Sequence, residues 1–316
     1  MELARIAPYL DNSRLHLIIM PTEKCNFRCK YCYEQFHNGL MSRETIDGIN
    51  RLLEARSPSL RILEIGWFGG EPLLALNEVC EISSHASKLS SAYSYEHHGS
   101  MSTNGSLLDV AAIEKLVEVG VRTFQISLDG TSDHHNRTRT DALGRGTYDK
   151  ILGNLKQIHQ TSLPFSIVLR LHVTSQNYQA LPLLASQLVN SFGNDSRFKV
   201  YFKEIEDLGG PGSSAGKRLK TDQDIHWLET LLPIHMVANQ TQSNPQVCYA
   251  AAGNSFVIRS TGDICKCTVA LDNPLNVVGK ISRDGTIATD SHKYGRWVST
   301  LFDPINSRCP LISLGQ

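Results

Sequence analysis

The stretch LHLIIMPTEKCNFRCKYC, residues 15–32, joins a short apolar run to three closely spaced cysteines. The run at 15–21 predicts a buried β-strand, because a continuous apolar segment of this length is typical of one. Directly after it stand Cys25, Cys29 and Cys32. Three thiolates in one loop can hold three corners of a [4Fe–4S] cluster and leave its fourth iron open to a small ligand. A structural zinc site is the other interpretation, but it needs a fourth Cys or His at a suitable spacing.

Strand and helix patterns alternate outward from this stretch over the first 240 residues. Strands are predicted at 15–21, 60–68, 98–103, 121–128, 166–173 and 198–205. Helices are predicted after Ser42, over 77–89, over 110–117 with Asp109 as N-cap, and over 147–159, 180–190 and 225–237. Repeated βα units imply parallel strands with ligand sites at their carboxyl ends. Six units are fewer than the eight of a closed barrel, so we expect an α/β fold with a partial (β/α)6 TIM-like barrel.

The last quarter of the chain has a different character. Residues 207–222 are rich in Gly and Ser and are typical of a loop or linker. From Cys248 onward the pattern changes to short strands, turns and cysteines. We therefore predict two domains, a partial barrel over 1–240 and a small cysteine-containing module over 241–316. Cys80 stands apart in a predicted helix and indicates core packing.

Composition narrows the classes of function. Lys and Arg together number 31 and Asp and Glu number 31, so the charge gives no argument for nucleic acid or an anionic membrane as partner. No apolar run is long enough to span a bilayer, and no secretory signal precedes the first strand. Eight cysteines in 316 residues suit metal-binding thiolates in a reducing compartment better than a disulfide scaffold. We expect a soluble cytoplasmic protein.

The cysteine loop resembles that of the radical S-adenosylmethionine (radical SAM) enzymes, with Tyr31 as the aromatic residue before the last cysteine. Two further segments agree with this resemblance. The sequence GGEP at 69–72 follows the second strand, as the Gly-Gly-Glu-Pro segment of that family does. The sequence SLDG at 127–130 continues to Arg139 and is similar to the Ser-x-Asp-Gly…Arg run of the peptide- and protein-modifying branch.

The resemblance implies a [4Fe–4S] cluster and S-adenosylmethionine (SAM) as cofactors. It implies that Glu71 holds the methionyl ammonium, that Ser127 contacts the ribose hydroxyls and that Arg139 binds the methionyl carboxylate. Val200 on the sixth strand would flank the adenine. The residues expected around SAM are Tyr31, Gly69, Gly70, Glu71, Ser102, Asn104, Ser127, Asp129, Arg139 and Val200.

The spacing of Cys248, Gly262 and Cys267 resembles the opening of a SPASM/twitch extension, which carries auxiliary [4Fe–4S] clusters. The match then weakens, since Cys309 alone remains of the usual later run. With Cys265, four thiols imply one auxiliary cluster rather than two, because a fully ligated cube takes four. In a regular strand Cys265 and Cys267 would share a face, near the limit of what one cube spans. The alternatives are a cluster with fewer protein ligands and a zinc site of four thiolates.

The resemblance implies an enzyme that generates a 5′-deoxyadenosyl radical and cross-links a ribosomally made precursor peptide, through cyclophane-type C–C bonds or thioethers. The implied partners are that peptide and a flavodoxin- or ferredoxin-type electron donor. The alternatives are formylglycine formation of the anaerobic sulfatase-maturase type and a small-molecule dehydrogenase. A cluster-bearing sensor would have no use for the SAM-contacting residues. Candidates for the proton acceptor, which the sequence does not rank, are Asp129, His172, Glu204 and Glu206.

Overall fold

The computed structural model describes residues 6–204, 223–238 and 247–314. The strands are β1 (Arg14–Ile19), β2 (Phe27–Cys29), β3 (Ile62–Trp67), β4 (Glu96–Thr103), β5 (Val121–Leu128), β6 (Arg139–Asp141), β7 (Ser166–Val173), β8 (Phe198–Glu204), β9 (Ser255–Ile258), β10 (Asp263–Cys265), β11 (Val277–Ile281) and β12 (Ile287–Thr289). The α-helices are α1 (Arg43–Arg56), α2 (Leu76–Tyr93), α3 (Val110–Glu118), α4 (Ser132–Thr138), α5 (Tyr148–His159), α6 (Leu181–Phe192), α7 (Gln223–Glu229), α8 (Ser291–Ser299) and α9 (Leu311–Leu314). One sheet has the order β12-β11-β10-β9-β1-β3-β4-β5-β7-β8, and β2 pairs with β6 in another.

The parallel half of the large sheet consists of the strands that the periodicity predicts. β1, β3, β4, β5, β7 and β8 pair in that order, and every pair is parallel. A helix follows each of them before the next parallel strand begins. The predicted α/β order is therefore confirmed. The carboxyl ends of these strands meet at one edge, where such folds place their sites.

The helices begin where the sequence places their caps, and one ends earlier than predicted. The side chain of Ser42 accepts a hydrogen bond from the backbone N–H of Thr45, and Asp109 accepts one from Ala112. The helix predicted over 225–237 ends at Glu229. Pro233 follows four residues later, and it has no backbone N–H to donate to a helical hydrogen bond. None of the helices in the described ranges is long and apolar enough to cross a membrane.

The hydrophobic core follows the alternation of the central strands. Leu15, Leu17 and Ile19 of β1 are fully buried and share one cluster with Leu63 and Ile65 of β3. Apolar residues of the helices complete the same cluster, as Ile46, Ile49, Leu52 and Leu53 of α1 do. This packing makes β1 the rigid base from which the cysteine loop emerges.

The C-terminal strands extend the barrel sheet. β9 pairs in parallel with β1, in the register His16↔Ser255 through Ile19↔Ile258. β10, β11 and β12 then follow as antiparallel neighbours. The cysteine-containing module is therefore joined to the barrel through the strand that carries the cysteine loop. The predicted linker at 207–222 and the predicted boundary at 240–241 lie outside the described residues, so the two-domain division stays a prediction.

Candidate functional site

A cavity of about 360 Å³ lies at the carboxyl ends of the parallel strands, a size suited to a small organic ligand. The predicted residues that line it are Cys25, Cys29, Tyr31, Cys32, Gly69, Gly70, Ser102, Asn104, Ser127 and Arg139. Glu71, Asp129 and Val200, also predicted for the site, do not line it. The fold therefore brings most of the predicted residues around one space.

The cysteine loop is fixed by a short strand pair that the sequence pattern did not reveal. β2 lies antiparallel to β6 and sets Cys29 opposite Arg139. At the other end of the loop, Asn104 Nδ2 lies 3.9 Å from Cys25 Sγ. The thiols, the arginine and the end of β4 thus share one wall of the cavity.

The three thiols of this loop are free and have the chemistry of cluster ligands. Burial raises the pKa of Cys25 to about 12 and that of Cys32 to about 11, so both thiols are neutral at pH 7. Iron–sulfur binding would release these protons, because the ligand is the thiolate. Within the described ranges, no group of three or more His, Cys, Asp or Glu side chains is arranged to hold a single metal ion. Three cysteine sulfurs around a single cavity fit a [4Fe–4S] cluster.

Gly69 and Gly70 let the turn after β3 touch the backbone that leads into the cysteine loop. A Cβ on Gly70 would lie 2.4 Å from the carbonyl oxygen of Lys24, and one on Gly69 would lie 2.4 Å from that of Thr22. Gly69 also has φ +106°, which L side chains rarely adopt. Both glycines are therefore required by close approach of two backbone segments.

Glu71, which the resemblance places beside SAM, is held by hydrogen bonds within the protein. It is fully buried, and its carboxylate accepts hydrogen bonds from the Thr103 hydroxyl at 2.7 Å and the Asn104 N–H at 2.7 Å. It also accepts one from the backbone N–H of Leu73. These protein donors hold the carboxylate behind the cavity wall, and the expected contact with a methionyl ammonium stays a prediction. Glu71 positions the end of β4.

Asp129, another residue expected around SAM, is likewise buried behind the cavity wall. One carboxylate oxygen accepts hydrogen bonds from Tyr31 Oη at 2.8 Å and from His172 Nδ1 at 2.9 Å. The other accepts one from Thr138 Oγ1 at 2.6 Å. In turn, Arg139 donates to Tyr31 Oη at 2.6 Å. Asp129 therefore organises the side chains that line the cavity and does not line it itself.

Val200 lies in the hydrophobic core. It is 1% exposed and does not line the cavity, so its expected place beside adenine stays a prediction. The alternation of β8 explains this, because Val200 shares its face with the buried Phe198 and Phe202. The residues of β8 that do line the cavity are Lys203 and Glu204.

Arg170 and His172 of β7 line the cavity, and the sequence reasoning missed Arg170 and named His172 only as a possible base. Arg170 Nε donates to Ser127 Oγ at 3.2 Å. The sequence contains a signal for this pair, because Arg170 and His172 stand two residues apart in an apolar strand and therefore share a face. Glu206, the remaining candidate base, lies outside the described residues.

The C-terminal cysteines divide into a group of three and a separate one. The backbone N–H of Cys248 donates to the carbonyl of Ser307, two residues before Cys309, and the hydroxyl of the adjacent Tyr249 accepts from the N–H of Thr268, the residue after Cys267. Burial raises the pKa of Cys248 to about 11. Cys265 ends β10 and packs with Met20 and Val257 in another apolar cluster. The strand does not continue to Cys267, so the expected shared face is not formed. Thr268 and Val269, directly after Cys267, line the cavity, so Cys267 lies next to its wall along the chain.

Comparisons with known proteins point to one enzyme superfamily. The family model described as Radical SAM superfamily matches residues 19–181. A serine-type anaerobic sulfatase-maturating enzyme of Klebsiella aerogenes is 28% identical over 167 residues, covering 50% of this chain and 40% of that enzyme. Fe-coproporphyrin III synthase of Methanosarcina barkeri is 27% identical over 168 residues, covering 52% and 38%. This chain therefore spans only about two fifths of these relatives.

Solved structures resemble the chain over nearly all of its length. Native anSMEcpe with bound AdoMet and Cp18Cys peptide has a TM-score of 0.66 at 20% identity, covering 92% of this chain and 84% of that one. SuiB of Streptococcus suis bound to precursor peptide SuiA has a TM-score of 0.64 at 16% identity, covering 94% and 70%. These likenesses confirm the predicted fold class.

Proposed function

Because the chain belongs to the radical SAM superfamily of enzymes, we propose that it oxidatively cross-links a ribosomally made precursor peptide. The cofactors of this family are a [4Fe–4S] cluster and SAM. In this chain Cys25, Cys29 and Cys32 would hold the cluster, Arg139 the carboxylate of SAM and Ser127 its ribose. When bound and reduced, these cofactors supply a 5′-deoxyadenosyl radical able to abstract hydrogen from an unactivated C–H bond. A flavodoxin- or ferredoxin-type protein would provide the electron.

The rest of the cavity keeps water from the reacting centre. Aromatic side chains contribute much of its wall, namely Phe27, Tyr33, Phe36 and Phe68. Phe36 is itself covered by the Arg28 guanidinium, whose Cζ is 4.9 Å from the ring centroid. An apolar wall of this kind would protect a reactive radical from solvent.

The observation that carries the proposal is that both parts of the chain form this cavity. Thr268 and Val269 stand beside the barrel residues in its wall, directly after a cysteine of the C-terminal group. A peptide bound there would touch the barrel and the module together. Support comes from two solved structures of similar fold, anSMEcpe with a bound Cp18Cys peptide and SuiB bound to the precursor peptide SuiA.

We further propose that Cys248, Cys267 and Cys309 hold one auxiliary [4Fe–4S] cluster and that Cys265 does not ligate it. The anaerobically reconstituted protein should contain about eight irons per chain, four for each cube. Replacing the three cysteines of this group together should leave about four, while Cys265→Ala should retain about eight, because its thiol packs in a separate apolar cluster. Iron and acid-labile sulfide analysis measures both.

The same analysis separates the other readings of the module. A fall to about four irons in Cys265→Ala would make this thiol a ligand and contradict the assignment. About four irons in the unaltered protein would mean that the C-terminal cysteines serve packing or zinc. About twelve would require a second auxiliary cluster with ligands other than cysteine.

The substrate class is tested by co-expressing the chain with each short open reading frame that adjoins its gene. A cross-linked peptide should be lighter by about 2 Da per bond, because each cross-link removes two hydrogens. Tandem mass spectrometry locates the bond, since fragmentation is suppressed between the joined residues. The matched control is the chain with Cys25, Cys29 and Cys32 all replaced by alanine, which should leave every peptide unchanged.

A second candidate function follows from the relative named a serine-type anaerobic sulfatase-maturating enzyme. A synthetic peptide with a sulfatase-type Ser or Cys would then acquire an aldehyde that reacts with hydrazine, and no internal bond. This result would replace cross-linking by formylglycine formation. Turnover of a small alcohol or sugar, with every peptide unchanged, would move the chain to small-molecule oxidation.

A further inference from the structure

His172 is held at the cavity wall by a buried carboxylate. Its Nδ1 lies 2.9 Å from Asp129 Oδ1, which links the ends of the neighbouring strands β5 and β7. The residue is only 6% exposed, and it lines the cavity. All ring hydrogen bonds of His172 to described residues are made by Nδ1, which leaves Nε2 without a partner among them.

The surroundings of Asp129 decide which ring nitrogen of His172 carries the proton. Burial acts to raise the pKa of Asp129, but the hydrogen bond from His172 and the charge of Arg139 hold it below its usual value. Tyr31 and Thr138 also donate hydrogen bonds to this carboxylate. An ionised carboxylate only accepts, so Nδ1 of His172 donates and Nε2 keeps its lone pair.

Contacts to the ring and to its backbone hold His172 in place. Tyr31 packs against it edge-on, with ring centroids 5.1 Å apart at 89°. Asn177 Nδ2 donates to the backbone carbonyls of both Asp129 and His172, each at 2.7 Å. The free nitrogen therefore keeps one direction, as a group that transfers protons must.

The ring is also neutral at pH 7, so the lone pair of Nε2 is available. Burial and the nearby charge of Arg170 lower the pKa of His172 to about 4, although Asp129 opposes them. At pH 7 the imidazole is uncharged. A proton arriving at Nε2 would be stabilised by the carboxylate on the opposite side of the ring.

We propose that Nε2 of His172 accepts the proton that the substrate loses when its radical is oxidised, with Asp129 as the positioning residue. The inference rests on the proposed cross-linking. After one hydrogen atom leaves a C–H bond to the 5′-deoxyadenosyl radical, the carbon radical bonds to a thiol sulfur or an aromatic carbon of the same peptide. That atom's hydrogen leaves as a proton to His172, and one electron passes to an oxidised iron–sulfur cluster. The peptide has then lost two hydrogens in all.

The other candidates for this role are less well placed. Asp129 does not line the cavity, and its carboxylate is occupied by protein donors. Glu204 lines the cavity, but no described residue orients its carboxylate in the way that Asp129 orients His172. An oriented acceptor is worth more than a mobile one, because the transfer requires a short, aligned contact.

The first test needs no substrate. Long-range ¹H–¹⁵N correlation spectra of the full chain labelled with ¹⁵N-histidine report the protonation of each ring nitrogen, and His172→Gln identifies the signals. We expect a proton on Nδ1 and none on Nε2 at pH 7, and a change of tautomer in Asp129→Asn. A proton on Nε2 of the unaltered chain at pH 7 would overturn the proposal.

The second test is the ratio of cross-linked peptide to 5′-deoxyadenosine, measured with the peptide modified in co-expression. His172→Gln should lower this ratio about 100-fold, the usual contribution of a positioned proton acceptor. The control is His98→Gln, since that side chain is 62% exposed on the surface, and it should leave the ratio unchanged.

Failure of the proposed role of His172 and failure of the proposed function give different results. If His172 served the fold alone, product and 5′-deoxyadenosine would fall together in His172→Gln and the ratio would stay at the unaltered value, which would overturn the role. If the unaltered protein forms no 5′-deoxyadenosine, the proposed function fails first, and the spectra still report the tautomer of His172.

Discussion

Replacing Cys25, Cys29 and Cys32 together with alanine is expected to abolish the formation of 5′-deoxyadenosine from SAM under dithionite. These thiols line one cavity and stand in one short loop that β2 and β6 hold in place. Without them the SAM-binding cluster has no protein ligands, so no electron reaches SAM. Chromatography of the reaction mixture measures the product directly.

The control for this result is Cys80→Ala. Cys80 lies in α2, half-buried against the hydrophobic core and outside the cavity. Its replacement should leave 5′-deoxyadenosine formation close to that of the unaltered protein. Retained SAM cleavage in the triple variant would contradict the assignment of the cysteine loop, whatever the substrate is.

Replacing Arg139 with glutamine should weaken SAM binding by about 100-fold or more, in line with the loss of a buried charge-assisted contact. The guanidinium is 7% exposed and donates to Tyr31 Oη through one terminal nitrogen, while its buried Nε has no partner among the described residues. An unpaired buried N–H is costly, so a ligand carboxylate that accepts from it would be favoured. Equilibrium binding to the reconstituted protein measures the effect.

Arg139→Lys distinguishes shape from charge at this site. A lysine keeps the charge but has no planar fork, so it should restore little of the affinity. Arg137→Gln is the matched control, because Arg137 lies two residues earlier with its side chain exposed. Iron content should be measured for each variant, since a chain that has lost its cluster says nothing about the arginine. Normal SAM affinity in Arg139→Lys with full iron content would contradict a bidentate contact.

Local periodicity predicted the barrel strands and most helices, because each has a short apolar pattern and several have a polar cap. Ser42 and Asp109 are examples, since each accepts the capping hydrogen bond that its position predicts. The pairing of β9 with β1 joins residues about 240 positions apart, and no local pattern contains that information. The short pair of β2 and β6 was missed for the same reason.

In the candidate site, motif spacing predicted positions along the chain and missed side-chain directions. Cys25, Tyr31 and Arg139 do meet around one cavity. Glu71 and Val200 occupy the expected places in the sequence. The carboxylate of Glu71, however, is held by buried donors, and the side chain of Val200 faces the core. For Val200 the strand alternation already held the answer, since Phe198 and Phe202 mark its face as apolar.

The parallel pairing of β9 with β1 also has a consequence for the order of events on the ribosome. One of the two neighbours of β1, Ser255–Ile258, is synthesised only about 240 residues after β1 itself. Until β9 is synthesised, the edge of β1 that will pair with it is unpaired, and it lies next to the cysteine loop. An exposed strand edge favours aggregation, and exposed thiols can be oxidised. Closure of such a long chain segment is slow compared with local βα pairing. The cavity, whose wall includes Thr268 and Val269, is therefore complete only after β9 has been synthesised.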